Sequence, residues 1–309
     1  MLLALILLIT FMVSVYLGDR LAQRGITADN ALQHYQHQVY GIGLGLLSLG
    51  IMFGIVLTAG RHSPWVPSFL LLYTGAHFWH GMVLVCGVAA GLLLGLEWPG
   101  RKESKRLQQL GLFLVMSGAA IAFLFHQGQP IAHLITESRM VEGVILQTTP
   151  YSCSAAAIAT LHRQVNPQAD TTEFEVAQLA GTSRQGTNTL GEIRAMEQLG
   201  LAPEYRRNLA IADLINRNQF AVLHVIENVD AARIQHAIAL LSIDPPAETL
   251  TVANPLYGIQ VKSFADMDDY WLREAVFVTT DSKIPDFSKQ LLMKALHQLP
   301  DRPLLTVHC

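Results

Sequence analysis

The distribution of long, nearly uncharged apolar runs limits the fold of this chain more than any other feature. The runs are confined to residues 1–130, and from Glu137 onward charged and turn residues recur as they do in an ordinary globular domain. Four runs approach the ~20 apolar residues that a helix needs to cross the hydrocarbon layer. They lie at 1–18, 39–59, somewhat longer within 68–96, and 107–125. Across 309 residues the chain is 51% hydrophobic and 15% charged, with a mean hydropathy of +0.32, which is too apolar for one water-facing domain. The pattern predicts an all-α transmembrane bundle of about four helices over 1–130, with the lipid bilayer as its partner. A second domain follows over 137–282, then a tail over 283–309 with a weakly amphipathic stretch at 287–299. A net charge of -3 offers no basic surface, so nucleic acid is excluded as a partner.

The first run lacks a basic leader and a small-residue cleavage pattern before Asp19-Arg20, so it reads as a retained helix. The third is long enough to cross once with tilt, or to cross twice. Its Gly87-x3-Gly91-x3-Gly95 repeat is a small-residue stripe suited to close helix packing. Arg101, Lys102, Lys105 and Arg106 place the connection before the fourth run in the cytoplasm, and Arg20 and Arg24 agree with them. Four crossings then put everything after Phe125 on the extracytoplasmic side of a bacterial inner or plasma membrane. A double crossing of the third run would reverse that side.

Of three cysteines, Cys86 lies in an apolar run, Cys309 ends the chain, and Cys153 opens a helix; such a set builds no disulfide framework. Cys153 closes the stretch Gln147-Thr-Thr-Pro-Tyr-Ser-Cys153 and precedes an Ala-rich segment. Unpaired amides and the positive end of the helix dipole favour a thiolate there, and Gln147 can reach a reacting carbon. Most cysteines are small buried hydrophobes, so the position alone assigns no role.

After Cys153 the pattern predicts four helices, at 153–164, 172–180 (stopped by Gly181), 188–199 (stopped by Gly200) and 211–216. The period then changes to short β-branched segments at 220–226, 234–243, 250–253, 259–262 and 275–279. Helices followed by strands give an α+β domain. A turn at Asp244-Pro-Pro-Ala247 sets His236 opposite Pro255 and diagonal to Asn254, within reach for an imidazole and a carboxamide. A thiol from the helix packed on that sheet completes the thiol–imidazole–amide arrangement of cysteine nucleophiles. The alternative is a core histidine satisfied by a neighbour. His162 and His224 have no motif partner and read as a helix-surface and a strand-core residue.

These residues, in this order, resemble the C39 family of papain-like cysteine peptidases, which cleave double-glycine leader peptides of export substrates. The likeness covers about residues 140–280. Gln147 and Cys153 look like the family's oxyanion glutamine and nucleophile, His236 in His-Ala-Ile-Ala-Leu its general base, and Asn254-Pro255-Leu-Tyr-Gly258 its orienting residue and turn. The segments Ala177–Ser183, Gly186–Gly191 and Ala195–Leu201 are similar to the region between nucleophile and histidine, and Phe264 with Trp271 to the closing helix. Two departures stand out: Asn254 where the family has Asp, and Ser152 and Ser154 beside the cysteine where it has an acidic residue and Gly.

The resemblance implies a membrane-anchored cysteine peptidase acting on a peptide or protein, with Cys153, His236, Asn254 and Gln147 as catalytic residues and neither cofactor nor metal. No Gly-x4-Gly-Lys-Ser/Thr loop is present, so any export transporter it serves is a separate protein. Two other readings remain open. One is a catalytically silent peptide-binding module tethered to a membrane complex. The other is a His-rich membrane haem or metal protein built on His34, His37, His77 and His80, although topology sets the two pairs apart.

Overall fold

The computed structural model describes residues 2–26, 36–58, 66–97, isolated positions between 108 and 127, and then 128–230 and 232–279. The chain divides into two compact units, Met1–Gln127 and Gly128–Cys309.

The first unit contains α1 (Leu2–Gln23), α2 (Gln36–Thr58) and α3 (Ser68–Glu97). Leu-rich stretches without proline favour helix. The third run is one unbroken helix, with no turn for a second crossing. Packing of α1 on α3 uses Gly91 of the expected stripe and also Gly18 of α1: a Cβ added at Gly91 would lie 2.8 Å from the Phe11 carbonyl oxygen, and one at Gly18 2.6 Å from that of Leu92. Backbone contact this close requires glycine.

Among the described residues, however, no helix is long and apolar enough to cross a membrane. The expected transmembrane bundle is corrected to that extent. Asp19, Arg20 and Gln23 shorten the apolar part of α1, Gln36-His37-Gln38 opens α2, and Thr74, His77 and His80 interrupt α3. The fourth run lies largely outside the described residues, as do the basic connection before it, His34, Cys309 and the tail. The outward faces of the three helices are nonetheless apolar, with Leu8 59%, Met12 58%, Leu44 65% and Phe69 65% exposed.

The second unit is mixed α/β. After a 3-10 turn at Ala132–Leu134 comes a small hairpin, β1 (Met140–Val141) and β2 (Val144–Ile145), which local periodicity did not reveal because each strand has two residues. Then come α4 (Cys153–Val165), α5 (Glu173–Ala180), α6 (Thr189–Gln198), β3 (Pro203–Arg207) and α7 (Ile211–Arg217). The rest is β4 (Ala221–Val229), β5 (Ala232–Asp244), β6 (Thr249–Asn254), β7 (Gly258–Ser263), α8 (Phe264–Tyr270) and β8 (Trp271–Val278). Side-chain caps and a glycine stop bound these helices. Thr172 accepts from the Glu175 amide at 3.2 Å, Asn188 from Gly191 at 2.8 Å, and Gly181 ends α5 at φ 65°, a left-handed turn suited to glycine.

Six strands form one antiparallel sheet in the order β3-β8-β4-β5-β6-β7. Alternation divides their side chains. Val222, Ala237, Ala239, Ala253 and Val276 pack with Ala155, Ala156 and Ala159 of α4, while Leu223, Val225, Ile238, Leu240 and Phe277 form a second core on the opposite face. Small residues on both sides of the first interface let α4 lie close to the sheet. Trp271, expected in the closing helix, instead opens β8: α8 ends at Tyr270, and the Trp271 indole donates to the Glu274 carbonyl at 2.9 Å.

Candidate active site

The segment before Cys153 is held at several points. The Ile145 amide donates to the Thr160 hydroxyl of α4 at 3.0 Å, the Thr148 amide to Glu173 of α5 at 2.9 Å, and the Gln147 amide to the Pro255 carbonyl at 2.9 Å. Ser152 is buried, its hydroxyl 2.8 Å from that of Thr149. These bonds bring the Gln147 backbone beside the Asn254-Pro255 turn and fix where α4 starts. As the first residue of α4, Cys153 has a backbone N–H with no intrahelical acceptor. The Gln147 side-chain amide donates to the Thr149 carbonyl at 2.9 Å, using one of its two hydrogens, and its Oε1 is buried without a partner among the described residues.

His236 and Asn254 meet, by a register other than the expected one. The β5–β6 turn spans the four residues between Asp244 and Thr249, and a bulge near Leu241 shifts the pairing before Leu240 faces Val252. Paired residues end at Ala239 and Ala253, beyond which the Asn254 Oδ1 lies 2.9 Å from His236 Nε2. Asn254 is fully buried and His236 4% exposed. The carboxamide orientation is fixed by its other partners. Oδ1 also accepts from the Leu256 amide at 2.9 Å, and Nδ2 donates to the Glu227 carboxylate at 2.9 Å. His236 therefore donates through Nε2–H, leaving Nδ1 as the basic nitrogen.

Cys153 comes up to the sheet one residue away, its sulfur hydrogen-bonded by the main-chain amide of Ala237. Among the described residues the thiol and the His236 imidazole are not hydrogen-bonded to each other. Burial pushes the Cys153 thiol up, Glu192 adds to this, and the Ala237 amide opposes it. Burial lowers His236, with the Asn254 bond and the Glu227 charge opposing. Both directions favour a neutral thiol and a neutral imidazole at rest, against the thiolate expected from the helix terminus alone. In a chain carrying Cys86→Ser and Cys309→Ser, alkylation of Cys153 by iodoacetamide should still accelerate above about pH 8.5, the ordinary thiol value. A rate already level at pH 7 would contradict this balance.

Three carboxylates that spacing did not reveal complete the surroundings. Glu227 Oε2 accepts from Asn254 and, at 2.6 Å, from the Tyr270 hydroxyl. On the other face, Glu192 accepts from the Ser154 hydroxyl at 2.6 Å and from His224 Nε2 at 2.8 Å, and Glu274 lies 3.3 Å from His224 Nδ1. Burial alone would lower His224, but the charges and hydrogen bonds of Glu192 and Glu274 hold it up at about 10. The core position expected for His224 is occupied, with a charge the sequence reading did not foresee. His162 is part-buried rather than on the surface, its Nδ1 2.5 Å from the Thr171 hydroxyl.

Among the described residues no group of three or more His, Cys, Asp or Glu side chains could hold a metal ion. His77 and His80 lie beside each other on α3 with ring centroids 5.6 Å apart, and His37 is exposed on α2.

No protein-family model matches the chain. It is similar to the peptidase domain of Streptococcus ComA, described as a bi-functional ABC transporter involved in a quorum-sensing pathway, at 20% identity over 43% of this chain and 95% of that one, with a TM-score of 0.37. It is also similar to a double glycine motif protease from an AMS/PCAT transporter solved with the leader peptide, at 20% identity over 47% and 97% and a TM-score of 0.37. An uncharacterized protein of Methanothermobacter thermautotrophicus is 42% identical over 60 residues, 19% of this chain and 41% of that protein. An uncharacterized protein of Methanothermobacter marburgensis is 32% identical over 117 residues, 38% of this chain and 74% of that protein. At that identity and coverage, the chain belongs to the family of the Methanothermobacter marburgensis protein.

Proposed function

We propose that the second unit is a cysteine peptidase that cleaves leader peptides of the double-glycine type, with Cys153 as nucleophile, His236 as base, Asn254 as orienter and Gln147 as oxyanion donor. The observation that carries the reading is the His236–Asn254 bond, which leaves Nδ1 basic at a position one residue from the amide bonded to the Cys153 sulfur. In the reaction, substrate docking closes the gap between thiol and imidazole, as hydrogen bonds in unliganded sites often tighten only with substrate. His236 Nδ1 takes the thiol proton while sulfur attacks the scissile carbonyl carbon. The Cys153 N–H and the remaining Gln147 amide hydrogen meet the oxyanion, each worth about 3 kcal/mol in comparable sites. The imidazolium gives its proton to the leaving amine, and a thioester remains. Water, deprotonated by His236, then releases the acid and restores the thiol.

In this reading the first unit holds the peptidase at a lipid bilayer, supported by its outward apolar side chains and by the four apolar runs of the sequence. Loop charges favour the extracytoplasmic side, and any export transporter served is a separate partner. Two measurements test the proposal. Full-length protein incubated with synthetic peptides carrying a Gly-Gly leader end should yield a single cut by mass spectrometry, while binding without cleavage would favour the silent module. Membranes washed with alkaline carbonate should retain the chain in the pellet, and full release into the supernatant would overturn the anchor.

A further inference from the structure

The orienting residue of the proposed triad is a neutral carboxamide, yet a buried carboxylate stands directly behind it. Glu227 is 9% exposed, and its Oε2 takes the Asn254 Nδ2–H bond at 2.9 Å and the Tyr270 O–H bond at 2.6 Å. Gln260 Oε1 lies 3.3 Å and the Tyr270 hydroxyl 3.5 Å from the same Asn254 nitrogen. A carboxylate can only accept, so it turns Nδ2 toward itself and Oδ1 toward His236. A negative charge one residue behind the imidazole also favours its protonated form, which a carboxamide alone does not.

We infer that Glu227 is a positioning residue that acts through Asn254, locking the His236 Nε2–H tautomer and supplying the negative charge that stabilises the imidazolium formed during cleavage. The inference rests on the peptidase reading above. Around His236 the groups concerned are Asn254 of β6, Glu227 of β4 and the nearby Cys153 of α4. Around Glu227 they are Asn254 and Tyr270. The Tyr270 ring lies beneath the Lys262 ammonium of β7 at 4.6 Å, and Tyr257 is a further neighbour.

The exchange of amide for acid gives the test. Glu227→Gln removes the charge and keeps the shape; Asn254→Asp moves a charge onto the next residue; the double variant restores one charge and one carboxamide in swapped places. In the full chain, the His236 midpoint is read by imidazole NMR, with His236→Gln identifying the signal. Glu227→Gln should lower it by about one pH unit, move the acidic limb of kcat/KM down equally, and cut the plateau rate about tenfold. The double variant should regain the midpoint, whereas Asn254→Asp alone, with two adjoining carboxylates, should raise it above the wild type. A midpoint unmoved by Glu227→Gln, or unchanged between it and the double variant, overturns the inference. Should Glu227→Gln not fold, the comparison of Asn254→Asp with the double variant decides: equal midpoints overturn it. If the wild type cleaves no peptide, the peptidase reading fails while the NMR midpoints still judge the Glu227 assignment.

Discussion

Cys153→Ala is expected to abolish cleavage of a leader peptide, lowering kcat by roughly 10⁴- to 10⁶-fold, the range seen when a nucleophile is removed from a covalent hydrolase. Nothing else in the site replaces it. The neighbouring hydroxyls are already bound, Ser152 to Thr149 and Ser154 to Glu192, and Ser154 points toward α6 rather than His236. The loss is chemical and not structural. Cys153 is only partly buried and contributes one sulfur atom to the packing of α4, so the melting midpoint should move by a few degrees at most. Peptide affinity should persist, because the oxyanion donors and the sheet remain. Turnover of the alanine variant within tenfold of the wild type would sink the assignment of Cys153 as nucleophile.

What could be read from sequence follows the range of the forces involved. The helices α4, α5 and α6 are legible because their signals are local: an Ala-rich face, a threonine cap before α5, Gly181 and Gly200 as stops. β4 to β7 show as β-branched runs for the same reason. β3, Pro-Glu-Tyr-Arg-Arg, does not, since a polar edge strand has no apolar alternation and its partner β8 lies some seventy residues away. The proximity of His236 and Asn254 could be foreseen from a hairpin count, although the bulge near Leu241 and the four-residue turn make the actual register different. Their neighbours Glu227, Glu192 and Glu274 could not. Each meets its partner across the sheet or between helix and sheet, and nothing in the spacing of 32 residues between Glu192 and His224, or 50 between His224 and Glu274, marks a contact. The faces of β4 also carry opposite tasks: His224 turns to the helix-covered side and Glu227 to the side of His236.

Glu192→Ala should be among the most destabilising single changes in the second unit. Its side chain is 2% exposed and joins two elements, accepting from Ser154 at the start of α4 and pairing with His224 of β4. Removing one partner of a buried ion pair costs about 3–5 kcal/mol, a large part of the 5–15 kcal/mol by which ordinary domains are stable. The melting midpoint should fall on the order of 10 °C. The pH dependence separates charge loss from cavity formation. His224 is held at about 10 when folded, above the ~6.5 of an unfolded histidine. Its stabilisation is thus complete below about pH 6.5 and fades as pH rises toward 10. The gap between wild type and variant in denaturant unfolding should be widest near pH 6 and narrow by pH 9.5. A gap that stays constant would mean His224 carries no charge in the folded chain. The same carboxylate pushes the Cys153 thiol up, so Glu192→Gln, which keeps the volume, should speed Cys153 alkylation at neutral pH. The anchor of the α4 start and the reactivity of its first residue are therefore set by one buried side chain.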